Sequence, residues 1–468
     1  MKKLRVAVMG CGRIAAVYKT ALQNLSDQCQ VVLAMDKDPA RARAFAAAFD
    51  GCEASALVSS AGFASALSHS GAELVHILLP HHLHGKYAVA AMTAGVDVLT
   101  EKPIAITLEE ADRMIAAQKT TGRQLGVIFQ NRYIDGVQRV RQLILSGQLG
   151  EVKGAFSTLN WHRPPSYYEC DWKGRWDTEG GGVVIDQAIH SIDLVRYMTG
   201  MDAVRVQGHT ARRVLRSIEV EDEADAAITL ENGAVYSFFA SNYYTFNSPI
   251  RVEIHCANGT ALLTQDEMTI HWTDGRVEDI HPAAAASAAP GESYWGAFHE
   301  MQLRDCYAAL RAGRKIPWSA QDARKTLEIV QGIYLSARIQ SEVTLLPRPP
   351  PRRLLSYPKC RAVPYFLLQG GDPHEAPLFH PSAQVCRRAV HGGGLRLSGG
   401  AGRGLRQLDR RRRVRRRRRG VRVCVGAVRL HPDAGRDRPA PQLFRPASAH
   451  CALVGHRRGR RGGPEGVQ

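Results

Sequence analysis

The chain has 468 residues, room for two or three domains, and 44% of them are hydrophobic, so a large core can be buried. Its formal net charge is +18, yet residues 1–347 hold 34 Lys+Arg against 38 Asp+Glu and the surplus lies in residues 348–468, at +22. The larger part is therefore a mildly acidic globular protein rather than a basic nucleic-acid-binding fold. No stretch is long enough to span a membrane. The ten cysteines form no C-x-x-C pair and no zinc spacing, which predicts free thiols in a reducing cytoplasm and no metal site. The apolar run after Met1-Lys-Lys-Leu-Arg5 stops at Gly10, too short for a secretory leader.

Residues 4–9 (LRVAVM) read as a buried strand, and Gly10-Cys-Gly-Arg-Ile-Ala15 turns into a helix running to about Asn24. A strand over 31–35, a helix over 38–49, a strand over 73–79 and a helix over 84–94 follow. A strand at 96–100, a helix at 107–120 opened by the T-x-x-E box of Thr107 and Glu110, and a strand at 124–129 close the series. Short apolar runs alternating with amphipathic helices predict a parallel α/β sheet, a Rossmann domain over residues 1–132, with ligands at the carboxyl ends of the strands.

After about residue 135 the texture changes. A helix at 136–146 and a strand near 151–160 lead to a Trp-, Tyr- and Arg-rich loop (161–179), then Gly180-Gly-Gly182 and a helix at 183–198. Alternating segments at 204–211, 224–230, 234–243, 250–256, 260–264 and 268–272 predict an open, mainly antiparallel sheet. Asn232-Gly233, Asn258-Gly259 and Asp274-Gly275 are its hairpin turns. Helices at about 293–312 and 320–340 complete this α+β module, residues 133–347. From Pro347 no periodicity remains; of the 28 basic residues beyond it 27 are Arg. We read 348–468 as a disordered or out-of-frame extension of a GC-rich coding sequence. A polyanion-binding arm, held by phosphate neutralisation and without sequence specificity, is the functional rival.

Four places carry chemistry. The turn Gly10, Cys11, Gly12, Arg13, Ile14 follows a strand and opens a helix, the context in which glycines and a helix N-terminus receive a pyrophosphate. Asp36, at the end of the second strand, suits the ribose hydroxyls and repels a 2′-phosphate, favouring NAD; Lys37 and Arg41 leave NADP open. The loop Pro80-His-His-Leu-His84 follows a strand at the same crevice, which brings Pro80, His81 and His84 near the cofactor. In Glu101-Lys102-Pro103 a lysine at a strand's end can donate to a substrate hydroxyl and stabilise the developing alkoxide. In the helix after the glycines, Asp186 and His190 are spaced i, i+4 on one face, with Asp193 a turn on. A histidine titrating near neutrality can take the hydroxyl proton as hydride leaves carbon. Taken singly, each has a plainer reading as a turn, a surface lysine or a polar helix edge.

Together these residues resemble the glucose–fructose oxidoreductase / inositol dehydrogenase (Gfo/Idh/MocA) family over about residues 4–347. The resemblance rests on G-C-G-R-I-A, the P-x-x-x-H loop, E-K-P, Gln130-Asn-Arg-Tyr133, W-K-G-R-W (172–176), T-E-G-G-G (178–182) and D-Q-A-I-H-S-I-D (186–193). It implies a two-domain NAD(P)-dependent dehydrogenase, a homodimer or homotetramer, acting on a ring hydroxyl of a sugar or cyclic polyol. It also implies the catalytic set Lys102, Asp186 and His190, with His190 as base, Lys102 polarising the oxygen and Asp186 orienting substrate and base. Glu101 and Gln130 join the expected cofactor contacts. Arg132, Trp161, Arg163, Tyr167, Trp172 and Gln187 join Asp186 and His190 as expected substrate contacts, although loop 161–179 also suits an oligomer contact. Some relatives are NAD-dependent glycosidases or noncatalytic nucleotide-responsive regulators, and these are the rival functions.

Overall fold

Parallel pairing of short apolar strands builds the first sheet. The computed structural model describes residues 2–56, 59–282 and 297–345. In chain order the first elements are β1 (Leu4–Met9), α1 (Ala15–Asn24), β2 (Cys29–Asp36), α2 (Pro39–Ala46), β3 (Glu53–Ala56), α3 (Ser60–Ser70), β4 (Leu74–Ile77), α4 (His84–Thr93), β5 (Asp97–Thr100), α5 (Leu108–Thr121) and β6 (Leu125–Val127). Sheet order is β3-β2-β1-β4-β5-β6, and every pairing is parallel. The order reverses between β1 and β4, which puts the ligand crevice beyond their carboxyl ends. Gly10 lies there at φ +96°, and a Cβ on it would come within 2.4 Å of the Leu78 carbonyl oxygen, so only glycine fits the turn. The cap at α5 forms as expected: the Thr107 hydroxyl oxygen accepts the Glu110 N–H at 3.2 Å. The pair β3 and α3 was not expected; Glu53-Ala-Ser-Ala56 is short, small and largely exposed, and carries no apolar alternation.

The second sheet follows from α6 (Asp135–Leu145), β7 (Val152–Asn160), α7 (Ile189–Thr199), β8 (Ala203–Ala211), β9 (Glu223–Leu230), β10 (Val235–Ser241), β11 (Arg251–Cys256), β12 (Gly259–Thr264), β13 (Glu267–Trp272) and β14 (Val277–Ile280). Helices α8 (Ala297–Arg311) and α9 (Ala320–Ile339) and strand β15 (Val343–Thr344) complete the described chain. Nine strands run β14-β13-β12-β11-β7-β10-β9-β8-β15, antiparallel except that β7 and β10 are parallel. Buried residues alternate along β9 and β10, the pattern of a sheet covered on one face.

Helix α8 departs from the expected module. Its Leu303, Cys306 and Tyr307 pack in one core with Leu4, Val6 and Val8 of β1 and Tyr18 of α1. Gln302 stitches it to the first sheet, donating to the Val127 oxygen at 3.2 Å and accepting the Phe129 N–H at 3.1 Å. The chain thus returns to the first layer before α9 packs on β8. Among the described residues no helix is long and apolar enough to cross a membrane, and Cys11, Cys29, Cys52, Cys170, Cys256 and Cys306 are free thiols. The Arg-rich stretch read above as an extension lies outside the described residues.

Candidate active site

Three strand ends and one loop meet beside the glycine turn. The turn itself fits a dinucleotide. A Cβ on Gly12 would meet nothing within 4 Å, and α1 begins with no side-chain cap and no acidic residue in its first turn. Asp36 is buried rather than an exposed turn residue, and its carboxylate organises the turn, accepting the Cys11 N–H at 2.7 Å and the Asp38 N–H at 2.8 Å. Burial, then the Asp36 charge, pushes the Cys11 thiol up to about 12, so it stays protonated. The cations that left NADP open are engaged: Lys37 pairs with Asp171, and Arg41 lies 3.5 Å from Asp38. Gln130 Oε1 is buried without a hydrogen-bond partner, an orphan that a bound ligand would satisfy.

Asp186 is the hub. It sits in a π-helical turn, Val184–Ala188, that precedes α7. The buried Glu221 carboxylate caps that turn, accepting the Gly182 N–H at 2.9 Å, the Val184 N–H at 3.1 Å and the Tyr334 hydroxyl at 2.9 Å. Gly182 is required here because a Cβ would fall 1.9 Å from the Glu221 carbonyl oxygen. Lys102 reaches across from the end of β5, donating to the Asp186 carbonyl oxygen at 2.5 Å and lying 3.5 Å from Oδ1. His81 Nε2 lies 3.6 Å from the same Oδ1, and its Nδ1 is 2.8 Å from the Glu179 carbonyl oxygen. Oδ2 accepts the Tyr167 hydroxyl at 2.8 Å, Lys173 Nζ at 2.5 Å and Gln187 Nε2 at 2.6 Å. Burial alone would raise the Asp186 carboxyl, but Lys173, Lys102 and His81 hold it well below the usual carboxylate range. The Arg13 guanidinium lies 5.4 Å over the Tyr167 ring, so one side chain links the glycine turn to the hub.

His190 stands beside these groups differently from the expectation. The π turn adds a residue to the helical repeat, and no hydrogen bond or ion pair joins Asp186 to His190 among the described residues. The ring is buried, Nδ1 has no partner, and Phe129 meets it edge-on. Burial, then the positive Lys102, pushes His190 down to about 3. The ring is therefore neutral at neutral pH, where the sequence suggested a histidine that titrates.

Several expected contacts are placed elsewhere. Arg132 is not free for substrate. It is buried, bidentate to Asp193 (2.7 and 2.5 Å) and 2.6 Å from Asp322, and it stacks near Phe129, Tyr197 and Trp318. Asp193 accordingly faces Arg132 and Thr326 rather than the hub. His84 is fully buried, its ring nitrogens 2.7 Å from the Pro103 oxygen and 2.8 Å from the Leu79 oxygen, so it braces the loops after β4 and β5. Glu101 turns toward Tyr18 (2.7 Å from the hydroxyl) and His299 (3.3 Å); against burial these take its carboxyl down to about 2. Lys102, the next residue along, reaches the other way, to the Asp186 carbonyl oxygen. Trp161 packs in the core with its indole N–H on Ser248, and Gln187 is consumed by Asp186, Tyr167 and Asn242. Arg163 is buried over Trp161 and Tyr167, while Trp172 meets His81 edge-on at 4.9 Å. Glu179, Glu221 and His299 were not singled out as site residues, and Lys173 stood out only as one of two cations, with Arg175, between the tryptophans of W-K-G-R-W.

Residues 4–129 match the model of an oxidoreductase family with an NAD-binding Rossmann fold, and residues 137–262 match the GFO/IDH/MocA C-terminal domain. The chain is 30% identical over 249 residues to the 1-carboxy-3-chloro-3,4-dihydroxycyclohexa-1,5-diene dehydrogenase of Comamonas testosteroni, a match covering 52% of this chain and 59% of that protein. It thus spans less than two-thirds of that relative's length. It is 29% identical over 354 residues to the D-apiose dehydrogenase of Paraburkholderia graminis, covering 72% of this chain and 88% of the relative. The solved WlbA dehydrogenase of Bordetella pertussis, in complex with NADH and UDP-GlcNAcA, is 27% identical and superposes with a TM-score of 0.62 over 74% of this chain and 99% of that one. With an NAD-binding Rossmann domain followed by the characteristic second domain, the chain belongs to the Gfo/Idh/MocA family of oxidoreductases.

Proposed function

We propose that the chain transfers hydride reversibly between a secondary ring hydroxyl of a sugar, cyclic polyol or sugar derivative and NAD, with Lys102, Asp186 and His190 as the reacting set. The observation that carries this reading is the meeting of Lys102 with the buried Asp186 carboxylate beside the glycine turn. Bound NAD supplies a hydride acceptor; Gly12 to Ile14, Asp36 and Gln130 are the residues to hold it. Neutral His190 accepts the hydroxyl proton, so the C–H bond can break with its electron pair leaving as hydride. Lys102 donates to the same oxygen and stabilises it as it becomes carbonyl-like. Asp186 keeps Lys102 in place and offers Oδ1, its less crowded oxygen, to the substrate. Relatives that act on a dihydroxylated ring and on apiose support the substrate class. The reading includes a homodimer or homotetramer joined through the uncovered face of the nine-stranded sheet, where Val235 is exposed, and a cytoplasmic setting.

The full chain, incubated with NAD and a panel of cyclic polyols, free sugars, nucleotide sugars and glycosides, tests it. The expected result is reduced-nicotinamide absorbance matched one-to-one by ketone product from a polyol or sugar. Glycoside cleavage without net reduction of NAD, or no turnover on any hydroxyl substrate, would overturn it.

A further inference from the structure

The charge partner of Asp186 is not the lysine the motif points to. Lys102 gives its short contact to the backbone oxygen of Asp186 and stays 3.5 Å from the carboxylate, whereas Lys173 lies 2.5 Å from Oδ2. Lys173 is bounded on every side. Its Nζ is 3.2 Å from Glu179 Oε1, and the Tyr167 and Trp172 rings lie 4.5 and 4.4 Å away. Glu179 Oε2 in turn accepts the Gly174 N–H, tying the loop back on itself just before the three glycines that lead to Asp186. Two buried carboxyl groups, of Asp186 and Glu179, therefore meet one cation flanked by two aromatic rings.

We infer that Lys173 is a positioning residue of the proposed dehydrogenase site: it keeps Asp186 ionised and fixes its Oδ2, leaving Oδ1 and Lys102 to face the substrate hydroxyl. The inference rests on the proposed function for its catalytic meaning, but its electrostatic content stands on the geometry alone. The groups facing Asp186 are Lys102 and His81 from the ends of β5 and β4, Lys173, Tyr167 and Glu179 from the loop and its end, and His190 from α7. Of these Lys173 makes the closest charged contact with the carboxylate, and it lowers the Asp186 carboxyl more than Lys102 or His81 does. Burial and the nearby Asp186 charge raise the Glu179 carboxyl, so Glu179 adds little competing negative charge. Without Lys173, Lys102 is the nearest remaining cation and is drawn from the backbone oxygen onto the carboxylate, away from the substrate.

The test uses the full chain as wild type, Lys173→Met, Lys173→Gln and Lys173→Arg. Carboxyl-13C-aspartate NMR, with Asp186→Asn for assignment, follows the Asp186 titration; kcat/KM against pH and the NAD Kd are measured alongside. Wild-type Asp186 should remain ionised down to pH 4. Lys173→Met and Lys173→Gln should move its midpoint up at least tenfold in proton concentration and shift the acid limb of kcat/KM equally, with the NAD Kd unchanged. Lys173→Arg should restore the wild-type profile. An Asp186 midpoint that stays put in a folded Lys173→Met or Lys173→Gln protein would overturn the inference. A shifted NMR midpoint in a protein that oxidises no hydroxyl would uphold the role of Lys173 and reject the proposed function instead.

Discussion

Asp186 and Asp193 lie seven residues apart in the chain, both buried in ion pairs, yet they do opposite things. Around Asp193 the accounts close: Arg132 takes both oxygens, Asp322 and Thr326 complete the set, and three aromatic rings seal the guanidinium. Around Asp186 they do not. Two lysines and a histidine converge on one carboxylate, and Nδ1 of His190 stands unpartnered beside them. Buried charges that pair off one to one serve the fold, and several cations crowded onto one buried carboxylate beside a glycine turn mark a candidate ligand site.

Substitutions on the two sides should break this contrast in opposite ways. Arg132→Ala leaves Asp193 buried without its partner and should cost about 3–5 kcal/mol in urea-denaturation stability; a loss under 1 kcal/mol would make the cluster dispensable. Lys102→Ala should lower kcat about 10²- to 10³-fold, the scale of a lost oxyanion donor, while the urea midpoint and NAD binding stay near wild type. Asp36→Ala should weaken NAD about tenfold, as expected for hydrogen bonds to a charged group, and NADP less; equal weakening of both, read by cofactor fluorescence, would remove Asp36 from the ribose. The last test reads the pH dependence of stability at His190. Folded, its pKa is pushed down to about 3; unfolded, it protonates near the ordinary value of about 6.5. The unfolded chain thus binds the extra proton, and the stability from the neutral ring is lost as pH falls between those values, by at most about 1.4 kcal/mol per pH unit. His190→Gln should flatten the stability–pH curve by up to that slope, and superposable curves would show that His190 titrates alike in both states.

Much of this was legible in the sequence because glycines punctuate it. The strand before Gly10 and the helix after it place the cofactor turn, and Glu101-Lys102-Pro103 stands at a strand end where the crevice had to be. The rest was hidden for identifiable reasons. Periodicity reports that α8 is amphipathic but not which layer it covers, so its return to β1 and α1 could not be read. The run Val183 to Ile192 is buried throughout, so its apolar and polar residues set no face that would tell α from π geometry, and the π turn at Val184–Ala188 leaves no trace. Arg132 looked like a substrate contact because charge marks function as readily as it marks a closed ion pair. Lys173 and Glu179 lie in a loop and before a glycine run, where spacing carries no direction.

A crystal structure of the full chain with NAD bound would settle where the nicotinamide sits. The nicotinamide ring should touch both Lys102 and His190, with the pyrophosphate on the amides at the start of α1. A nicotinamide ring seated away from Lys102 and His190 would contradict it.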